Sequence, residues 1–91
     1  MKGIWKFRLP IEDYPSIEMP VGAKPLFVAE QNAEPFLWAL VDPDDKQEAT
    51  EIHRFRVVGT GHRLEDREAG SYVGSLILQG GLLVFHVFDL Q

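Results

Sequence analysis

Gly59-Thr-Gly-His62 is the segment of this chain whose residue types and spacing best suit chemistry. Two glycines let backbone N–H groups converge on an anion, and Thr60 and His62 add side-chain donors. Arg54 and Arg56 project from one face of the strand just before, and Arg63 follows directly. A phosphate-bearing ligand would find backbone donors, a hydroxyl and guanidinium forks there. The segment is neither a Walker loop nor a dinucleotide fingerprint, because no helix follows it in the required place. The competing reading is a strand end turning on its glycines beside solvated arginines. Tyr14, in a proline-flanked polar stretch, is expected to be exposed and able to stack on a base. Trp5 and Trp38 read first as core.

Other constellations promise less. His53, His62 and His86 would have to meet at one centre to bind zinc or act as acid and base, and no HxH or HExxH spacing joins them. His86 is better placed to hydrogen-bond Ser75 across a hairpin. That serine lies on a strand, without the strained elbow that activates a nucleophile. Asp42, Asp44 and Asp45 lack the central glycine and the terminal glutamate of a calcium loop. The pairs Glu65 with Asp66 and Glu65 with Glu68 read as solvated charge. No metal, no cofactor and no enzymatic activity are expected.

The elements that must carry these residues are strands. Ile4–Leu9 alternates, with Trp5, Phe7 and Leu9 on one face and Lys6 and Arg8 on the other. Ser16–Met19 is a short edge strand between prolines. Leu26–Gln31 and Phe36–Val41 form a hairpin around Asn32-Ala-Glu-Pro35, and the second run suits a central position. The Asp42–Glu51 connection is charged, with room for one helical turn after Pro43. Glu51–Val58 sets His53, Phe55 and Val57 against Ile52, Arg54, Arg56 and Val58. Tyr72–Gln79 and Leu82–Leu90 flank Gly80-Gly81 as a tight hairpin. Its register sets Ile77 against Val84, Ser75 against His86 and Val73 against Phe88, with Tyr72 on the face of Asp89. The pattern predicts an all-β fold: an antiparallel sandwich or small barrel of about seven strands, with at most one short helix in a charged connection.

Ninety-one residues, 45% of them hydrophobic, make a single domain over 1–91. A chain this short buries roughly 60–65% of its unfolded surface. Fourteen acids against nine bases leave a net charge of −5, which weighs against wholesale nucleic-acid binding but not against a local basic pocket. The lack of cysteine excludes disulfides and thiolate zinc sites. No run approaches the ~20 apolar residues that span a bilayer, and the start lacks a signal-peptide core, so a cytoplasmic location is expected. Exposed edges on so small a domain favour a homo-oligomer.

Across Ile4-Trp-Lys-Phe, Leu9-Pro-Ile-Glu12, Ile17-Glu-Met-Pro20, Gly22-Ala-Lys24, Leu37-Trp-Ala-Leu-Val-Asp-Pro43, Phe55-Arg, Gly59-Thr-Gly-His62 and Gly80-Gly to Val84-Phe-His-Val-Phe88, the chain resembles a family of very small, uncharacterised proteins encoded in tailed-phage and prophage genomes. The resemblance implies a context and no residue roles: small phage proteins without catalytic motifs often act by binding, including oligomers that sequester a nucleotide signal of host defence. The expectation is therefore a non-enzymatic protein that holds a small anionic nucleotide through Tyr14, Arg54, Arg56, Gly59, Thr60, Gly61, His62 and Arg63. In this reading Arg56→Ala or His62→Ala abolishes binding and leaves the melting temperature nearly unchanged. The alternative is a protein–protein inhibitor or virion component without a small-molecule site.

Overall fold

The C-terminal hairpin keeps the register its glycines suggest. In a computed structural model describing residues 2–42 and 49–90, β6 (Ser71–Leu78) pairs antiparallel with β7 (Leu83–Asp89), setting Ile77 opposite Val84 and Ser75 opposite His86. The turn is longer than the expected Gly80-Gly81. Residues Gln79 to Leu82 form it, with positive φ at Gln79, Gly80 and Gly81 and a bond from Leu82 N–H to the Gln79 carbonyl at 3.2 Å. Two-residue and four-residue turns share a centre here, so the pairing is unchanged.

The register shifts farther along, between Tyr72 and Gly74. Tyr72, not Val73, lies opposite Phe88, and Ser71 lies opposite Asp89. A one-residue bulge reverses the facing of everything beyond it. Tyr72 therefore joins Ser75 and His86 on the outer face, and Val73 turns in against the core.

Five further strands complete the fold: β1 (Gly3–Arg8), β2 (Ser16–Pro20), β3 (Lys24–Gln31), β4 (Glu34–Val41) and β5 (Thr50–Gly59). They form an all-β sandwich of two antiparallel sheets, ordered β1-β4-β3 and β2-β5-β7-β6. Helical structure among the described residues is limited to two 3-10 turns, at Asp66–Glu68 and in the β6–β7 connection. Asp44, Asp45 and the helical turn expected after Pro43 lie outside the described residues.

Alternation determines what fills the interior. Leu37, Ala39 and Val41 of β4 face Phe55 and Val57 of β5, Leu76 of β6 and Val87 of β7, with Leu9, Ile17, Met19 and Val28 completing the cluster. The sheets approach most closely where β3 meets β6. There a Cβ on Gly74 would sit 3.2 Å from Val28 Cγ2 and 3.6 Å from its backbone nitrogen. Neither tryptophan is buried as core. Trp5 points to the core side but is 45% exposed, and Trp38 stands on the outer face of the three-stranded sheet.

Candidate functional site

Arg56 departs furthest from the sequence expectation. Alternation puts it on the outer face with Arg54, but the 60–70 connection folds across that face and buries it. Its Nε donates to Glu68 Oε1 at 3.3 Å, Nη1 to the Val57 and Asp13 carbonyls at 2.6 and 3.4 Å, and Nη2 to the Arg63 carbonyl at 3.2 Å. Its guanidinium carbon lies 5.0 Å from the centre of the Tyr14 ring. A guanidinium so committed pins two connections to β5. It is not a free anion receptor.

Glu68 closes this network. It accepts from the Tyr14 hydroxyl and, at 3.2 Å, from the Glu65 N–H. The Tyr14 hydrogen bond, aided by the Glu65 N–H and Arg56, holds the Glu68 carboxyl below the ordinary carboxylate range despite desolvation. The same bond, together with desolvation, raises the Tyr14 phenol above its usual value. Glu65 and Glu68 therefore form a structural pair about the 3-10 turn rather than merely solvated charge.

Around Tyr14 lies a depression of about 410 Å³, lined by Tyr14, Arg54, Arg67, Glu68 and Leu90. Tyr14 is 50% exposed, as expected. Arg54 and Arg67 are exposed, and neither has a carboxylate partner among the described residues. Glu68, the acid in this lining, is already met by Arg56. Two unopposed guanidiniums beside a phenol ring offer charge and a stacking surface together. Sequence reading missed Arg67, which sits in a polar connection with no periodicity to assign it a face.

The Gly59–His62 segment lies elsewhere. The bond from His62 N–H to the Gly59 carbonyl, at 3.0 Å, closes a β-turn, and Gly61 supplies the positive φ of 85° at its third residue. The His62 ring lies over Gly59, where a Cβ would meet Nδ1 at 3.2 Å. The turn borders a recess of about 370 Å³ shared with Leu64, Tyr72, His86 and Phe88. His86 Nε2 is 2.7 Å from Thr60 Oγ1, and its Nδ1 is 3.1 Å from the Tyr72 hydroxyl and 3.3 Å from Ser75 Oγ. With the ring hydrogen on Nε2, Thr60 accepts and passes its own hydrogen to the Val84 carbonyl, 3.4 Å away. Ser75 thus meets His86 across the hairpin as expected, while a hydroxyl, not a carboxylate, orients the imidazole. Arg63 flanks the turn with its side chain 91% exposed and loosely paired with Glu65 at 3.9 Å.

The eight expected ligand residues therefore divide. Gly59, Thr60, Gly61 and His62 line the recess and Arg63 flanks it. Tyr14 and Arg54 line the other depression, and Arg56, held in the Glu68 network, also borders a third recess of about 260 Å³ together with Gly59 and His62. The three histidines do not converge. His53 is buried, with Nε2 2.9 Å from Asp89 Oδ1. Among the described residues, no cluster of three or more His, Cys, Asp or Glu could hold a metal.

A small all-β sandwich with open depressions on its surface is the class that fold and sites define. The chain belongs to the family described as a domain of unknown function (DUF7352), whose model matches residues 1–91. No curated protein and no solved structure matches it. Among the described residues, no helix is long and apolar enough to cross a membrane.

Proposed function

We propose that this protein acts by binding rather than by bond chemistry, and that its ligand is a small anionic nucleotide. The observation that carries this reading is the pair Arg54 and Arg67, neither in an ion pair with a carboxylate among the described residues, lining one depression with Tyr14 in a chain rich in acids. Guanidiniums grip phosphate and a phenol face accepts a base. The arrangement of His86 supports a non-enzymatic role, since its ring is oriented by Thr60 and neighbouring hydroxyls. The phage resemblance supports a setting: a homo-oligomer in the cytoplasm that sequesters a nucleotide signal of host defence.

A thermal-shift screen against cyclic oligonucleotides, cyclic mononucleotides and ADP-ribose derivatives tests this. Ligand at a hundred times its dissociation constant stabilises by about 2.7 kcal/mol, or roughly 10–20 °C for a domain of this size. The double variant Arg54→Ala/Arg67→Ala is expected to melt like the parent and lose the shift. A shift that survives in this variant but disappears in His62→Ala would move the site to the Gly59–His62 recess. A flat screen on ligand-free protein would overturn the nucleotide reading.

One feature favours a protein–protein inhibitor or assembly component instead. Phe27 and Trp38 stack at 4.7 Å on the outer face of the three-stranded sheet, beside Phe36, and Phe27 is 47% exposed. Exposed aromatic patches mark protein contacts. Loss of partner capture on Phe27→Ser, with nucleotide shifts absent, would select this alternative.

A further inference from the structure

Two sheets have four edges, and three of these are protected. β3 and β6 lie against each other, with Gly74 close to the Val28 backbone. β2 is five residues long, follows Pro15 and ends on Pro20. β1 is different: six residues without proline or bulge, pairing only with β4 among the described residues. Such an edge is a template for another strand.

The direction of its free groups follows from one bond. Leu9 N–H donates to the Pro35 carbonyl at 3.2 Å, just beyond the pair Arg8 and Phe36. Antiparallel pairs alternate between bonded and non-bonded. Phe7, Trp5 and Gly3 therefore bond to β4, while Ile4, Lys6 and Arg8 turn their backbone N–H and carbonyl groups outward. Lysine on an edge normally guards it. Here both cations fold inward over the sheet. Lys6 bonds Gln31 at 2.8 Å and covers the Phe36 ring at 4.5 Å, and Arg8 pairs with Glu34 at 2.7 Å. The side chains left at the edge are apolar: Ile4 is 59% exposed, and Trp5 is 45% exposed although it faces the core side.

We infer that β1 is a homodimer edge, pairing antiparallel with β1 of a second copy about a two-fold axis perpendicular to the sheet. That axis keeps core side with core side, so only registers pairing residues of like parity are allowed. Centring on Lys6 would set two lysines directly opposite, which is unfavourable. Centring on Trp5 sets it against the partner's Trp5 and puts Ile4 opposite the partner's Lys6, with backbone bonds between residues 4 and 6. The product is one continuous six-stranded sheet that covers the exposed tryptophan. A second copy is the occupant because the edge is self-complementary in this register and the two-fold contact closes on itself. A single strand contact is smaller than the standard ~800 Å² per partner, so the dimer dissociates on dilution.

This inference rests on the homo-oligomer part of the proposed function and not on any ligand. It is tested by sedimentation velocity over a dilution series and by cysteine cross-linking, which is clean in a chain without cysteine. Non-bonded antiparallel positions hold their Cα atoms about 4.5 Å apart, within disulfide reach. Trp5→Cys is expected to oxidise to a covalent dimer and Phe7→Cys, offset from its own copy, to form no covalent cross-link while still dimerising. Lys6→Pro removes an outward N–H and no bond to β4, so it is expected to give a folded monomer with an unchanged circular dichroism spectrum. A parent that stays monomeric at every concentration overturns the homo-oligomer. A parent that dimerises while Trp5→Cys fails to cross-link, or while Lys6→Pro still dimerises, overturns this edge alone. A flat nucleotide screen leaves both standing.

Discussion

The guanidinium of Arg56 and the carboxylate of Glu68 meet at 3.3 Å beneath the 60–70 connection, with side chains only 11% and 5% exposed. The pair ties β5 to the segment carrying Arg63 and Arg67, and through Asp13 and Tyr14 to the β1–β2 connection. Removing one member of a buried pair strands the other and destabilises strongly. Arg56→Ala is therefore expected to lower the melting temperature on the order of 10 °C. Arg54→Ala, two residues away and exposed, should leave it within a few degrees. Thermal denaturation of both followed by circular dichroism checks the contrast, which reverses the sequence expectation that Arg56 could be lost without a stability cost.

Acid should act through Glu68. Its folded-state value is depressed, chiefly by the Tyr14 hydrogen bond, so its contribution is fully present above the unfolded glutamate value, about 4.3. That contribution falls away as pH drops through the lower folded value. Tyr14 behaves oppositely: its value is raised, so its contribution is present below about pH 10 and is lost as pH climbs through the folded value. Melting curves from strongly acid to strongly alkaline pH should show both limbs. Glu68→Gln is expected to flatten the acid limb and Tyr14→Phe the alkaline one.

His53 and Asp89, thirty-six residues apart, meet at 2.9 Å on the core side, and His53 Nδ1 has no hydrogen-bond partner among the described residues. Truncating Asp89 would leave both ring nitrogens of a buried imidazole unmet. Asp89→Ala is expected to cost about 1–3 kcal/mol in urea-induced unfolding. A cost below a few tenths would show that the His53–Asp89 contact contributes little.

What was legible in the sequence was local. Alternation, apolar runs and the prolines and glycines between them located all seven strands, and the Gly80-Gly81 pair located the centre of the last hairpin, which suffices for the pairing of Ser75 with His86. The bulge at Val73 has no such marker, and one unpaired residue moved Tyr72 to the other face. Arg54 and Arg56 look alike in the strand pattern, since both point outward. A connection ending fourteen residues after Arg56 buries one and spares the other. For the same reason Arg67, read as part of a polar linker, became a candidate only once the 3-10 turn had placed it in one depression with Tyr14 and Arg54.

The β3–β4 hairpin carries a correctable flaw. Its connection is two residues, Asn32 and Ala33, rather than the four of Asn32 to Pro35, and both have positive φ, at 55° and 67°. A two-residue turn of this hand matches strand twist and favours Asn-Gly. Asn32 suits its position, but Ala33 brings a Cβ into a region that costs an L-residue roughly 1–2 kcal/mol. Glycine removes that strain but has more freedom to lose on folding, an opposing cost of about 0.4–1 kcal/mol. Pro35 does not disturb the arrangement, because its missing N–H falls opposite Leu9, past the end of β1. Ala33→Gly is thus expected to stabilise by about 0.5–1 kcal/mol, a rise of a few degrees in melting temperature. The Glu30 carboxylate accepts the residue-33 N–H at 3.0 Å in parent and variant alike, so an unchanged or lower value would mean that the conformational freedom of glycine in the unfolded chain cancels or outweighs the relieved strain.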